Sequence, residues 1–193
     1  MRALIRGSSI SSGVEVKKSY VSIAQEMLSS LNVTLFNRSS PRETSFDAVR
    51  TYDSDISPFS PDLLVLHFGI EDAYSSIFRS EFKENLVQIV RLARKDMIKN
   101  IALMTSHTFD NEYEMQTIEI YYRTIREVAL DLHCHFLPLH FFWIGFIVEN
   151  EQKNDNLLLQ DCRLPNDKGH EIYARVLIDF INKIKELYYE YNN

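Results

Sequence analysis

Short apolar segments alternate with longer segments of helical periodicity along almost the whole chain. Apolar runs predict five strands, at residues 3–5, 33–36, 63–68, 101–104 and 136–139. Between and after them, apolar positions recur every three or four residues, as in amphipathic helices, at residues 19–31, 78–97, 112–132 and 167–188, with a shorter helix at 45–52. Strands that alternate with helices indicate parallel pairing through right-handed crossovers.

This pattern predicts an α/β fold, a three-layer α/β/α sandwich with a five-stranded parallel sheet of the flavodoxin-like kind. The carboxyl ends of parallel strands lie at one edge of the sheet, where open α/β folds bind ligands. We therefore expect the polar residues that follow the strands to meet at this edge. They are Ser8 and Ser9, residues 37–42, residues 69–72, Ser106 and His107, and His140.

Composition and charge narrow the class of protein. A chain of 193 residues with 45% apolar and 25% charged residues is typical of one globular domain, here residues 1–193. The net charge of −6 argues against a nucleic-acid partner. The longest apolar run, residues 141–148, is too short to span a bilayer. Cys134 and Cys162 have no metal-like spacing, so we expect no metal.

The amino terminus and the cysteines bear on location. Residue 5 already lies in a predicted strand, which leaves no room for a signal peptide. Two cysteines suit a reducing compartment. We therefore expect a cytoplasmic protein.

Four segments carry the polar residues of interest: Gly7-Ser8-Ser9-Ile10, residues 37–45, residues 67–72 and residues 161–174. Their order and spacing resemble the SGNH (GDSL-type) hydrolase family of esterases and lipases over essentially the whole chain. The resemblance implies that Ser9 is the catalytic nucleophile, with Ser8 in place of the usual Asp. It also implies oxyanion-hole positions at Ser9, at Arg42 in place of a Gly, and at Glu71 in place of an Asn.

The fourth segment can be aligned with the family in two registers. In the longer register Asp161 takes the position of the catalytic Asp and Leu164 that of the catalytic His, while His170 becomes a structural histidine at a helix start. This register also accounts for Pro165, Asn166, Gly169 and Ala174. In the shorter register Asp167 and His170 form the catalytic pair. We prefer the longer register, which implies a degenerate active site.

A serine nucleophile needs a base within hydrogen-bond reach. Leucine cannot accept a proton, and an ionised Glu71 offers only acceptors where a donor is expected. Three replacements are open: His170 oriented by Asp167, His107 or His140 from neighbouring strand ends, or Asp161 acting directly on Ser9.

Three functions remain in competition. The first is an SGNH-like hydrolase of an acyl or O-acetyl ester, on a small molecule or a carbohydrate, with a weakened site and no cofactor. The second is an inactive descendant that serves as a binding or interaction module. The third is a flavodoxin-like module that binds a phosphate-bearing ligand at residues 7–12. The oligomeric state stays open.

Two further segments have several interpretations. The aromatic run at residues 141–146 is read as a lid, an acyl-chain contact, a packed connection or a dimer patch. The tyrosine-rich segment at residues 188–191 is expected to end the last helix against the core.

Overall fold

A single parallel sheet organises the computed structural model, which describes the backbone of residues 1–190 and the side chains of residues 1–186. Its strands are β1 (Arg2–Gly7), β2 (Thr34–Asn37), β3 (Leu63–His67), β4 (Asn100–Met104) and β5 (His135–Leu137). They pair in the order β2-β1-β3-β4-β5, and every pair is parallel. The predicted five-stranded parallel sheet is therefore confirmed.

Helices cover both faces of the sheet. The longer ones are α2 (Tyr20–Leu28), α6 (Arg79–Lys95), α7 (Glu112–Asp131), α8 (Leu139–Glu149) and α9 (Asp167–Glu190), and the short ones are α1 (Ser9–Ser12), α3 (Ser45–Arg50), α4 (Tyr52–Asp55) and α5 (Ile70–Tyr74). Three 3₁₀ turns complete this part of the chain, at Ser29–Leu31, Ser57–Phe59 and Asn154–Leu157. Helix α2 packs against α9, whereas α6 packs against α3 and α7.

The two helical layers follow from the strand order. The chain moves from β1 to β2 in one direction and from β3 to β5 in the other, so right-handed crossovers place the connecting helices on opposite faces. Between them lies a continuous apolar core in which all five residues of β3 are buried. The reversal beside β1 is a topological switch point, the place where open α/β sheets bind ligands.

The sequence pattern predicted the strands and long helices to within a few residues but missed helix α8. Nearly every position of this segment is apolar, so no periodicity marked it as a helix. In the structure Leu139 and Trp143 are buried, while Phe141 and Phe142 are exposed. The short helices α1 and α5 were also not predicted, and the packing expected for the side chains of residues 188–191 lies outside the described residues.

Within residues 1–190 the structure contains no helix long and apolar enough to cross a membrane.

Candidate active site

Ser9 lies at the switch point, directly after β1. Gly7 makes this turn possible, because a Cβ at Gly7 would lie 2.7 Å from the carbonyl oxygen of His67 and 2.5 Å from Ser11 Oγ. Ser9 then begins helix α1 and is 4% exposed. The close approach of β1 to β3 therefore fixes the serine at the carboxyl edge of the sheet.

Arg42 brings a backbone donor to this serine. Its N–H donates to Ser9 Oγ at 2.9 Å. Its φ of 62° lies in the left-handed region, which glycine adopts freely and which costs other residues roughly 1–2 kcal/mol. The loop therefore has a backbone conformation that suits glycine, the residue that the resemblance implies here, and the N–H reaches the serine although Arg42 has a Cβ.

Glu71 approaches the same hydroxyl from the end of β3. Ser9 Oγ donates a hydrogen bond to Glu71 Oε1. Glu71 belongs to helix α5, whose first residues are held by Asp72: one carboxylate oxygen accepts from Gly69 N at 3.0 Å, and the other accepts from Ser45 N at 2.8 Å. Asp72 thus connects two segments of the site. One is the turn that contains Glu71, and the other is the start of α3, which follows the loop that contains Arg42.

The buried carboxyl group of Asp72 has a shifted pKa. Burial raises this pKa to about 6, although hydrogen bonds from Ser45 and Gly69 favour the carboxylate. The sequence pattern did not single out Asp72, although Asp72 is the last residue of the third segment, residues 67–72.

The structure places Leu164 beside Ser9 and Glu71, in the lining of one cleft. Asp161 lies in the preceding turn, where its backbone carbonyl accepts from Leu164 N at 2.9 Å. Its carboxylate is held by Arg163, whose Nε and Nη2 donate to the two oxygens at 2.8 and 2.5 Å. These hydrogen bonds from Arg163 keep the pKa of Asp161 below its usual value, against the smaller opposing effect of burial.

Arg163 lines the cleft and connects the turn of Asp161 to Tyr74 and Glu71. Its guanidinium lies 5.0 Å from the ring centroid of Tyr74, a cation–π distance, and its charge is close enough to Glu71 for the two to interact. Sequence analysis did not identify Arg163, because nothing in the pattern showed that it would bond to Asp161.

His170 lies at the start of α9 and makes a structural contact. Its Nδ1 accepts from the backbone N–H of Tyr20 at 2.9 Å, and its ring stacks on that of Tyr20. Asp167 accepts from Lys17 N at 3.1 Å. Among the described residues His170 has no hydrogen bond to Asp167 or Ser9, so the structure does not assemble the shorter-register pair.

His107 follows β4 and is fully buried. Its Nε2 lies 2.9 Å from the carbonyl oxygen of Cys162, and its Nδ1 lies 2.8 Å from the hydroxyl of Tyr173. Since a carbonyl only accepts, Nε2 carries the proton and Nδ1 accepts from the tyrosine. Burial lowers the pKa of His107 to about 4. Both ring nitrogens are therefore engaged away from Ser9.

His140 follows β5, three strands across the sheet from β1. With neighbouring strands about 4.8 Å apart, this separation is roughly 14 Å. Its Nδ1 lies 2.7 Å from Thr105 Oγ1. The structure therefore places His140 on the predicted edge of the sheet but does not bring it to Ser9.

His67 is the one histidine that lines the cleft among the described residues. Its Nδ1 lies 2.8 Å from Ser11 Oγ and 3.0 Å from the hydroxyl of Tyr20, and its Nε2 lies 2.8 Å from Ser106 Oγ. Burial lowers its pKa to about 3. Like His107, it is a neutral histidine with both nitrogens occupied.

The cleft itself is small. Its open volume is about 20 Å³, which suffices for about one water molecule. Ser8 also lines it, and its Oγ is buried without a hydrogen-bond partner among the described residues. An unpaired buried hydroxyl is costly.

A buried arginine supports the loop that carries Arg42. Arg6 is 0% exposed, and its guanidinium pairs with Glu43, the neighbour of Arg42, and donates to Thr51 Oγ1 at 2.8 Å. It also lies 3.2 Å from Asp55. One feature of the sequence points to this role: Arg6 directly follows the apolar run at residues 3–5 of β1.

Comparison with known proteins assigns the family. The model of the GDSL-like lipase/acylhydrolase family matches residues 5–172. The chain therefore belongs to this family, as its four segments suggested. A comparison with curated protein sequences gives no significant match.

Solved structures share the fold. The acetylxylan esterase Axe2 from Geobacillus stearothermophilus superposes with a TM-score of 0.79 at 18% identity, covering 92% of each chain. LAE5, an α/β hydrolase from the metagenome of Lake Arreo, gives a TM-score of 0.79 at 17% identity, covering 92% of this chain and 93% of LAE5. Catalytic mutants of Axe2 carry alanine in place of a serine, an aspartate and a histidine, the latter two being three positions apart.

Proposed function

We propose that this chain is a slow ester hydrolase in which Ser9 is the nucleophile and Glu71 replaces the missing histidine as its base. The observation that carries the proposal is the pair of hydrogen bonds at Ser9 Oγ, which donates to Glu71 and accepts from the N–H of Arg42. A base and an oxyanion donor on one hydroxyl are the two requirements of serine-dependent acyl transfer.

The reaction proceeds in two halves. Ser9 Oγ attacks the ester carbonyl carbon, its proton passes to Glu71, and the carbonyl electron pair moves onto oxygen beside the N–H of Arg42. The tetrahedral intermediate collapses, and the alcohol leaves with the proton from Glu71. Water then attacks the acyl-serine, Glu71 accepts its proton and returns it to Ser9 Oγ, and the carboxylic acid departs.

Protonation of Glu71 also changes the electrostatics of the site. The ionised carboxylate would repel the developing oxyanion, but once it has taken the serine proton it is neutral and can donate a hydrogen bond. A carboxylate is a weak base toward a hydroxyl, so the expected rate is well below that of a serine–histidine site. We expect a weakened hydrolase because Glu71 is a weaker base than histidine.

The aspartate–histidine spacing of Axe2 supports a degenerate site. This chain has the same spacing twice, at Asp161 and Leu164 and at Asp167 and His170. Leu164 of the first pair lines the cleft of Ser9, whereas Asp167 and His170 bond to Lys17 and Tyr20. We infer that Leu164 occupies the place of the catalytic histidine, and that His170, His107 and His140 do not act as bases.

The size of the cleft supports a small acyl group. With about 20 Å³ of open volume beside Ser9, an acetyl group fits with less rearrangement than a longer chain. The alcohol part of the substrate would remain outside the cleft. Acetyl esters of carbohydrates or other small alcohols are therefore the proposed substrates.

The test is hydrolysis of p-nitrophenyl acetate and butyrate by the wild-type protein, Ser9→Ala and Ser80→Ala. Ser80 is the matched control because it is an exposed serine of α6 that does not line the cleft. We expect faster turnover of acetate than butyrate, loss of this activity in Ser9→Ala, and its retention in Ser80→Ala. Equal rates for the wild-type protein and Ser9→Ala would refute the proposal.

A second candidate function is ligand binding without turnover. It is favoured by Leu164, which narrows the cleft, and by the pairing of Asp161 with Arg163. In that case Ser8 and Ser9 would bind a ligand without a covalent step. Wild-type protein that never forms an acyl-serine with p-nitrophenyl acetate would favour this function.

A further inference from the structure

A second cavity lies at the other end of the sheet, between helices α7 and α8. Its volume is about 580 Å³, within the range of small-molecule sites. It lies beside the segments that follow β4 and β5, which are roughly 10 and 14 Å across the sheet from β1. The cavity is therefore separate from the cleft of Ser9.

The walls of this cavity are mainly apolar. Phe109, Met115, Phe136, Phe141 and Ile144 contribute side chains to it. Phe141 is 63% exposed and Ile144 is 43% exposed, although large apolar side chains are normally covered. An apolar ligand body would cover part of this surface.

His140 adds a fixed polar group to the cavity wall. Its ring stacks on Tyr122 at a centroid distance of 5.0 Å and contacts Phe141 at 4.1 Å. Thr105 Oγ1 lies at its Nδ1, while its Nε2 has no hydrogen-bond partner among the described residues. Thr105 Oγ1 also accepts from the backbone N–H of His140 at 3.4 Å, so its own proton can be directed to Nδ1. In that tautomer Nε2 carries the ring proton and can donate to a ligand.

Two arginines of α7 supply positive charge at the same cavity. Arg123 pairs with Glu119, the one carboxylate in the lining, at 2.5 Å. Glu119 also lies close enough to His140 to favour the charged imidazole, which opposes the larger lowering of the His140 pKa by burial. Arg126 has no ion pair within the described part of the chain. The lining thus carries two guanidinium groups against one carboxylate, and Arg126 and His140 are left to donate to a ligand, a combination that suits an anion.

We propose that this cavity binds a small amphipathic carboxylate, a molecule with an apolar body and one acid group. The apolar body would lie against Phe109, Phe136 and Ile144, and the carboxylate would accept hydrogen bonds from Arg126 and His140. The proposal does not depend on the reactivity of Ser9, and its test measures binding rather than turnover.

The test compares two probes with the same ten-carbon chain and opposite charge, decanoate and decyltrimethylammonium, titrated calorimetrically below their micelle concentrations. We expect decanoate to bind saturably with one molecule per chain, and the cation to bind at least tenfold more weakly. Arg126→Gln should weaken decanoate binding about three- to tenfold, the effect of losing one exposed charge-assisted hydrogen bond. Ile144→Trp should abolish binding by filling the cavity.

Two variants control for unspecific effects. Arg91→Gln removes an arginine from α6, outside this cavity, and Phe142→Ser removes an exposed aromatic residue of α8 that does not line it. Both should bind decanoate like the wild-type protein, and all four variants should keep the wild-type circular dichroism spectrum.

Three results would overturn the proposal: equal affinity for the two probes, unchanged decanoate binding in Arg126→Gln, or a dimer in sedimentation that Phe141→Ser dissociates and that excludes decanoate. The last result would show that a second copy of the chain covers this surface.

Discussion

Ser9 Oγ donates its hydrogen bond to the carboxylate of Glu71, although the two residues are 62 positions apart in the chain. Ser9 follows β1 and Glu71 follows β3, and these two strands are neighbours in the sheet. The pairing therefore results from the topology that brings both strand ends to the switch point. It puts a proton acceptor on the only serine that the family resemblance identifies as a nucleophile.

The first prediction concerns the base. Glu71→Gln keeps the size of the side chain but removes its capacity to accept the proton of Ser9. We expect hydrolysis of p-nitrophenyl acetate to fall by about 10²-fold or more, the lower end of the contribution of a general base. Initial rates under saturating substrate measure the effect.

The control for this change is Glu84→Gln, which removes an exposed carboxylate from α6, outside the cleft. It should hydrolyse the ester at the wild-type rate. A Glu71→Gln protein as active as this control would show that Glu71 is not the base.

The second prediction concerns position 164. Leu164→His places an imidazole in the cleft that contains Ser9, three positions after Asp161. We expect ester hydrolysis to rise at least about tenfold, because an imidazole is a far better base than a carboxylate near neutral pH. The rise should depend on Asp161, which must leave Arg163 to orient the new ring.

Two variants test this interpretation. Leu164→Phe introduces a ring without a base and should bring no gain, and the double variant Leu164→His with Asp161→Asn should lose most of it. If all three proteins hydrolyse the ester equally slowly, position 164 is not the place of the catalytic histidine.

The third prediction concerns Arg42 and its backbone conformation. At a φ of 62° glycine is free of the steric cost that arginine bears, but it also loses more entropy on folding. We therefore expect Arg42→Gly to change the free energy of unfolding by no more than about 1 kcal/mol in urea titrations. It should also keep the esterase activity, since the N–H that meets Ser9 remains.

The contrast is Arg91→Gly, which places the same residue inside helix α6 and should destabilise the protein by about 1 kcal/mol. Loss of activity in Arg42→Gly would instead assign a role to the guanidinium.

The fourth prediction concerns pH and stability. Burial lowers the pKa values of His67, His107 and His170 in the folded protein to about 3, 4 and 4. Between about pH 6.5 and pH 4 the unfolded chain therefore binds up to three more protons at these residues than the folded protein. Asp72, with its pKa raised to about 6, binds one proton in the folded protein and offsets one of them.

The net effect is that stability falls as the pH is lowered through this window. With roughly two extra protons bound on unfolding, the free energy of unfolding should drop by roughly 2–3 kcal/mol per pH unit near pH 5. Urea titrations at pH 7.0, 6.0 and 5.0 measure this slope. A free energy of unfolding that is constant or increases toward pH 5 would contradict the description of these histidines as buried and neutral.

The sequence predicted the sheet because each strand is a short apolar run and each long helix has a clear apolar face. Helix α8 was not predicted because the run around Trp143 is apolar at almost every position, so its pattern has no helical period. The exposed face of α8, which contains Phe141 and Phe142, could be distinguished from its buried face only from the packing in the structure.

The candidate site was predictable in its parts but not in its pairings. Sequence analysis identified Ser9, Arg42 and Glu71, and parallel topology brings all three to one edge of the sheet. It could not show that Glu71 would accept from Ser9, or that Arg163 would bind Asp161, because such pairs depend on the conformations of side chains. The same holds for His107, whose contact with the carbonyl of Cys162 joins residues 55 positions apart.

The central claim is that Glu71 activates Ser9, and the rate at which a fluorophosphonate labels Ser9 tests it most directly. This reagent forms a covalent bond with an activated serine and requires no turnover. We predict slow, single-site labelling of Ser9 in the wild-type protein, none in Ser9→Ala, and a rate at least about tenfold lower in Glu71→Gln. Equal labelling of the wild-type protein and Glu71→Gln, or no labelling of either, would contradict it.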